Sequence, residues 1–327
     1  MRILVIHELG SGLTEGAIFT FIRHFTAPDD EVVLRTLADA PTPSYLAGAN
    51  TFDLVVAAAT DDVISAVCYE LRDSNTPILP FPTADNNLMF TNFDLPDEPV
   101  ALASLARNML TIDVDLVELS PLPTINNVDK TSCFNPDASS RSWGFNVAAG
   151  AGFAPASLKA AEGMKSNFGS AAYVLAALSQ TNRTASNLTI ELDNQTVETA
   201  GTAVLLLNHA KLHQAYPVDD ADQSGAGLIE VTVLKPHSAG EFLPMFFTAL
   251  FDRSSGLPKN SSALETFYSR SVQVWADPPM QLSLEGKSLE FETPFQAQLL
   301  PGATQLVVPE RIYQLFGALG EEGEDRK

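Results

Sequence analysis

Residues 53–67 read DLVVAAATDDVISAV. Leu54 to Ala58 is an unbroken apolar run, and apolar residues at helical spacing resume at Ile64. A short apolar run bounded by polar residues fits a strand buried on both faces, and such strands characterise parallel sheets. The stretch therefore predicts a buried strand that runs straight into a helix. In α/β proteins this junction is where phosphates bind, and glycines make room for them. Here the junction is Ala57-Ala58-Ala59-Thr60-Asp61-Asp62, with no glycine and two adjacent carboxylates.

The flanking sequence repeats the strand–helix alternation. Ile3 to Ile6 predicts a first strand, and EGAIFTFIRH (Glu15 to His24) a helix. Val32 to Leu37 is strand-like, Ile64 to Leu71 helical, and TPILPF (Thr76 to Phe81) another short strand. Pro96 to Asn108 adds a helix with Pro99 near its start. Short apolar strands separated by helices predict a doubly wound, largely parallel sheet.

The texture changes after about Leu122. RSWGFNVAAGAGF reads as a small-residue strand able to pack closely on another backbone, and SNFGSAAYVLAALSQ as a helix with an apolar stripe. The period then becomes two. Leu188, Ile190 and Leu192 share one face, and Asp193-Asn194 suits a hairpin turn. TAVLLLNHA, LIEVTVLKP, SVQVWA, MQLSLEG, FQAQLL and QLVVP continue as strands, the pattern of an antiparallel sandwich or barrel. The fold class is thus α/β plus all-β. A Rossmann-like doubly wound domain covers 1–122 and an antiparallel β-sandwich covers 123–308. A last helix at 309–319 precedes an acidic tail at 320–327 that reads as disordered.

A chain of 327 residues is long enough for two such cores. Its formal net charge is -21, with 19 Lys and Arg against 40 Asp and Glu. That balance argues against nucleic acid, whose phosphates need clustered cations. It also argues against strong non-specific adsorption to anionic membranes, and at most a peripheral membrane contact is expected. No apolar run approaches the roughly 20 residues that span a bilayer. MRILVIHELG is too short in its apolar part for a signal peptide, and Cys68 and Cys133 make no disulfide framework. A cytoplasmic location is expected. Asn182, Asn187 and Asn194 match the glycosylation pattern, read here as coincidence in a Thr-rich region.

Several segments carry candidate chemistry. HELGSGLTEG (His7 to Gly16) places Gly10, Gly12 and Gly16 between the first strand and the first helix. It is a loose variant of a dinucleotide turn, with Asp39 as the nearest acidic partner. Asp61 or Asp62 can cap the helix, a contribution of about 0.5–2 kcal/mol. Alternatively, one of them can take a proton from a hydroxyl or hold Mg²⁺. Two carboxylates about 4 Å from phosphate charges would each oppose them by about 4 kcal/mol at an effective dielectric of about 20, unless a metal bridged them. PFPTADNN (Pro80 to Asn87) brings Thr83, Asp85, Asn86 and Asn87 to the expected carboxyl edge of the sheet, either as a ligand site or as an Asx-rich turn. Asp219, Asp220 and Asp222 offer oxygen ligands without EF-hand spacing. His209 and His213 lack the partners a zinc site needs. The sequence contains no GxSxG nucleophile and no P-loop.

In this order, these segments resemble the bacterial diacylglycerol kinase and sphingoid kinase family of lipid kinases. WGFNVAAGAGFAPASL followed by MKSNFGSAAYVLAAL is similar to the family's small-residue run and its Lys, Gly and Tyr before a helix. AGTAVLLLNHAK with YPVDDADQSGAGLIEVTVLKP resembles its strand, acidic loop and following strand. LSLEGKSLEFETPFQAQLLPGATQLVVP resembles its closing hairpin, and GSG at Gly10 to Gly12 the end of its first turn. The resemblance implies an ATP-binding first domain and a β-sandwich second domain, with the last helix returning to the first. It also implies a cleft for Mg-ATP and a lipid bearing a free hydroxyl, diacylglycerol-like or sphingoid.

By that resemblance Asp61 falls on the Asp of the family's Gly-Gly-Asp-Gly-Thr loop and is the expected catalytic base, with Glu285 assisting. Gly10, Ser11, Gly12, Thr60, Asp62 and Thr83 are the expected nucleotide contacts, and Asp220 and Asp222 the expected metal ligands. The motifs depart from the pattern at several places. Ala59 and Thr60 replace the first two glycines, Asp62 the third, and Val63 the threonine. PTADN stands for Gly-Thr-Ala-Asn-Asp, Glu8-Leu9 for Asn-Pro, and Glu285-Gly286-Lys287 for Asp-Gly-Glu. Ala226-Gly227 replaces an Asp-Gly. Glycines in a phosphate loop permit close backbone approach, and their replacement adds bulk where phosphates lie. Two functions follow: an ATP-dependent lipid kinase, or a non-catalytic relative (a pseudo-kinase) binding a lipid, a nucleotide or a protein. A third, an NAD-dependent enzyme using Gly10 to Gly16, lacks a hydride-transfer constellation.

Overall fold

The structure is a computed structural model that describes residues 1–9, 15–38, 45–82, 88–123, 142–153, 184–208, 227–236 and 264–316. The chain divides into two compact units. The first is Met1–Leu116 with Ala210–Pro217 and Pro301–Lys327; the second is Val117–His209 with Val218–Leu300.

In the first unit, β1 (Arg2–Glu8), α1 (Glu15–Phe25), β2 (Glu31–Leu37), β3 (Leu54–Ala58), α2 (Asp61–Glu70) and β4 (Ile78–Phe81) follow one another, then α3 (Leu88–Asn92) and α4 (Pro99–Asn108). The strands run parallel in the order β2-β1-β3-β4. Ile3 to Ile6 and Leu54 to Ala59 are fully buried, as the unbroken apolar runs require. On α1, Phe21 stacks on Phe25 and meets Phe81 of β4 edge-on, with ring centroids 5.5 and 5.4 Å apart. Because the strands are parallel, Glu8, Ala58 and Phe81 all close their strands at the same edge of the sheet.

α2 starts at Asp61, three residues before the apolar periodicity resumes, and its N-cap is Thr60. The sequence reading places no strand between Asn108 and Leu122, yet β5 (Thr111–Pro121) lies there. Its signal is period-two alternation: Ile112, Val114 and Leu116 are buried between Asp113 and Asp115.

In the second unit the expected single strand over RSWGFNVAAGAGF is two strands, β6 (Trp143–Phe145) and β7 (Ala148–Ala151). β6 pairs with β5, whereas β7 belongs to the other sheet. The chain changes sheets at Asn146-Val147, whose backbone amides donate to the Glu285 carboxylate. β8 (Ser186–Leu192), β9 (Thr196–Gly201), β10 (Ala203–Asn208), β11 (Ile229–Leu234), β12 (Leu264–Ser269), β13 (Ser271–Asp277), β14 (Gln281–Leu284), β15 (Lys287–Glu292) and β16 (Phe295–Val307) complete the unit's strands. One sheet is wholly antiparallel, in the order β12-β11-β10-β7-β14-β15. The other contains the antiparallel ladder β16-β13-β8-β9. Their facing side chains, among them Phe145, Val204, Leu206, Val231, Val274 and Phe295, form one apolar core. The end of β16 belongs to the first unit, where Leu306 is level with Ile78 of β4.

The small residues of β7 have a steric cause. A Cβ on Gly150 would collide with the carbonyl of Val204 on the neighbouring strand, and Gly152 has φ +87°. The close backbone packing expected from AAGAG is present.

Candidate functional site

Thr60, Asp61 and Asp62 sit together at the carboxyl edge of the parallel sheet, on the β3–α2 turn. The turn is closed by a residue from β1. The Oε2 of Glu8 accepts hydrogen bonds from the backbone N–H of Thr60 at 2.8 Å and from its hydroxyl at 2.7 Å. The same hydroxyl lies 2.6 Å from Oδ1 of Asp62. Glu8 and Asp62 are both buried, so two donors of Thr60 and two carboxylates share a small volume at the start of α2. The helix dipole favours negative charge at this place.

Asp61 points elsewhere. Its Oδ2 accepts the amide of Leu88 at 3.0 Å and its Oδ1 the amide of Met89 at 3.2 Å. It is buried, and both oxygens hold the first turn of α3. Neither aspartate is the cap of α2, which is Thr60.

Glu285 lies in the second unit, in the two-residue turn that joins β14 to β15. Its φ is +49° and that of Gly286 is +90°, the mirror-image turn that suits a tight hairpin. The buried side chain folds back onto the β6–β7 connection. Oε1 accepts the amides of Asn146 at 2.8 Å and Val147 at 3.0 Å, and Oε2 the amide of Ala148 at 3.2 Å. Three consecutive amides at the break between β6 and β7 are thus satisfied by one carboxylate.

The structure therefore brings Thr60, Asp61 and Asp62 together with Glu8, and places Glu285 in the other unit. Gly10, Ser11, Gly12, Thr83, Asp220 and Asp222 lie outside the described residues, as do Asp39, His209 and His213. Among the described residues, no three His, Cys, Asp or Glu side chains are arranged to hold a metal ion. Also among them, no helix is long and apolar enough to cross a membrane. The sequence reading notes Glu8 only as a departure from a motif. Its signal is a carboxylate closing a strand whose middle, Ile3 to Ile6, is wholly apolar.

A diacylglycerol kinase of Bacillus anthracis superposes with a TM-score of 0.62 at 16% identity, over 95% of this chain and 98% of that one. The chain has the diacylglycerol kinase fold. An NAD kinase of Archaeoglobus fulgidus, solved in complex with ATP, has a TM-score of 0.51 at 13% identity, over 97% of this chain and 98% of that one. The diacylglycerol kinase fold thus accounts for both the parallel α/β sheet and the separate antiparallel six-stranded sheet. No family model matches the sequence. An uncharacterized protein of Synechocystis is 24% identical over 262 residues, which cover 78% of this chain. The match spans 54%, about half, of that protein's length.

Proposed function

We propose that the protein is a non-catalytic relative of the lipid kinases, which binds a neutral lipid bearing a free hydroxyl and does not phosphorylate it. The observation that carries this is Glu8. Its carboxylate takes the amide and the hydroxyl of Thr60, the anion-binding groups of the turn on which lipid kinases carry their glycine loop. A nucleotide phosphate would have to displace a buried carboxylate of like charge. It would also meet Asp61 and Asp62, each opposing it by about 4 kcal/mol at about 4 Å and an effective dielectric of about 20. The buried Cβ of Ala59 adds bulk where a glycine would leave space. Mg-ATP does not fit the described part of this turn. Fold alone does not imply activity, and the sandwich unit is kept while the phosphate-handling turn is altered.

The active lipid kinase stands as a second reading because Asp61 occupies the sheet edge where a base for a lipid hydroxyl would act. Against it, both Asp61 oxygens already serve backbone amides. Calorimetric titration with Mg-ATP, beside vesicle co-sedimentation with diacylglycerol, separates the two. Lipid binding without nucleotide binding supports the non-catalytic reading. Micromolar Mg-ATP binding that disappears in Asp61→Ala supports the kinase.

A further inference from the structure

We propose that β2 is the edge through which two copies of this chain associate, pairing antiparallel with the same strand of the second copy about a two-fold axis at Val33. β2 ends the order β2-β1-β3-β4, and among the described residues no strand pairs with its other side. An open edge is a template for a further strand, and proteins guard it with lysine, proline or a bulge. β2, EVVLRTL, has none of these, and its seven residues keep an unbroken register with β1 from Glu31 to Leu37. The amide of Glu31 donates to the Met1 carbonyl at 2.9 Å, and the Leu37 carbonyl accepts the Leu9 amide at 2.8 Å. In a ladder alternate residues turn their backbone groups to the neighbouring strand. The odd-numbered residues therefore serve β1, and the amides and carbonyls of Val32, Leu34 and Thr36 point outward.

The charges of the strand select a second copy as the occupant of that edge. With Val33 opposite Val33 of the second copy, Val32 lies opposite Leu34 and Glu31 opposite Arg35 of the second copy. Each Val32–Leu34 pair joins outward-pointing residues, so it exchanges both its backbone hydrogen bonds. Leu34, 41% exposed in the single chain, is covered by Val32 of the second copy. Glu31 and Arg35 share the other face and fall in the non-hydrogen-bonded pairs, where opposed side chains come closest. Arg35 donates to the carbonyls of Tyr45 at 2.7 Å and Ala47 at 3.3 Å and has no carboxylate partner among the described residues. Glu31 is exposed and meets Arg2 through Oε2 at 3.1 Å; its Oε1 takes no bond among the described residues. Moving the axis to Leu34 would set Glu31 opposite Leu37 and Arg35 opposite Val33, and both charge pairs would be lost. Charge thus fixes the register, and the edge is complementary to itself, as a two-fold interface requires. β9, the open end of the ladder β16-β13-β8-β9, reads TVETAG and has no cation to match Glu198.

Sedimentation velocity of the full chain, from micromolar to millimolar concentration, tests the pairing. The wild type should pass reversibly from monomer to dimer. Glu31→Arg and Arg35→Glu each set like charges opposite one another at both ends of the paired strands and should weaken the dimer about tenfold. Mixed in equal amounts, the two variants restore opposite charges at both ends and should regain most of the lost affinity as a heterodimer. A wild type that stays monomeric at millimolar concentration overturns the proposal. So does a dimer that neither variant weakens, or a mixture no tighter than its components. Should a variant fail to fold by circular dichroism, hydrogen exchange in the wild type decides. The outward amides of Val32 and Leu34 should exchange more slowly as protein concentration rises. Exchange at both that is independent of concentration overturns the pairing.

Discussion

Glu8 and Thr60 are joined twice: one carboxylate oxygen accepts both the amide and the hydroxyl of the threonine, at 2.8 and 2.7 Å. They come from the ends of neighbouring parallel strands, 52 residues apart in sequence. Removing the acceptor strands the Thr60 amide at a part-buried edge, while the hydroxyl keeps Asp62 within reach. Glu8→Ala should cost about 1–3 kcal/mol in urea unfolding, and Glu8→Gln less, because its amide oxygen can still accept. Equal loss in the two variants would mean that the charge, not the hydrogen bonds, holds the turn.

Asp61 ties α2 to α3. Asp61→Ala should destabilise the fold by about 1–3 kcal/mol and speed hydrogen exchange at Leu88 and Met89. Asp61→Asn keeps one oxygen and should protect one of the two amides. A residue kept solely for chemistry would leave both exchange rates unchanged.

These contacts mark the boundary of what the sequence discloses. Leu54 to Ala58 declares its burial by being unbroken, and the parallel half of the fold follows from such runs. The sandwich follows from the alternation of Leu188, Ile190 and Leu192. The closure of the turn by Glu8 is not legible, because nothing local to Thr60 names a partner on another strand. The break at Asn146-Val147 is hidden for the same reason. Glu285, whose carboxylate takes the amides there, lies 139 residues away from Asn146. β5 was legible in its alternation, but the aspartates that give it period two also give it the look of a loop.

Glu285 should prove structural before anything else. Glu285→Gln leaves one oxygen for three amides and should lower stability by about 1–3 kcal/mol, with faster exchange at residues 146–148. Glu285→Gly relieves the left-handed backbone yet loses all three bonds, so it should be no more stable than Glu285→Gln. Unfolding midpoints and exchange rates check both.

Asp30 gives a pH signature far from the site. The Met1 ammonium, then the Ala27 amide and Arg107, hold its carboxyl well below the usual range. In that window the unfolded chain binds the proton more readily. The contribution is therefore fully present above about pH 4 and is lost as pH falls through the folded-state value. Asp30→Asn should flatten this part of the acid limb in urea midpoints measured from neutral pH downward. An unchanged limb would show that other carboxylates set it.

The most direct measurement is calorimetric titration of the full chain with Mg-ATP. With Glu8 closing the β3–α2 turn, no binding heat is expected up to millimolar nucleotide. Micromolar binding that vanishes in Asp61→Ala would contradict the non-catalytic reading and restore a working kinase.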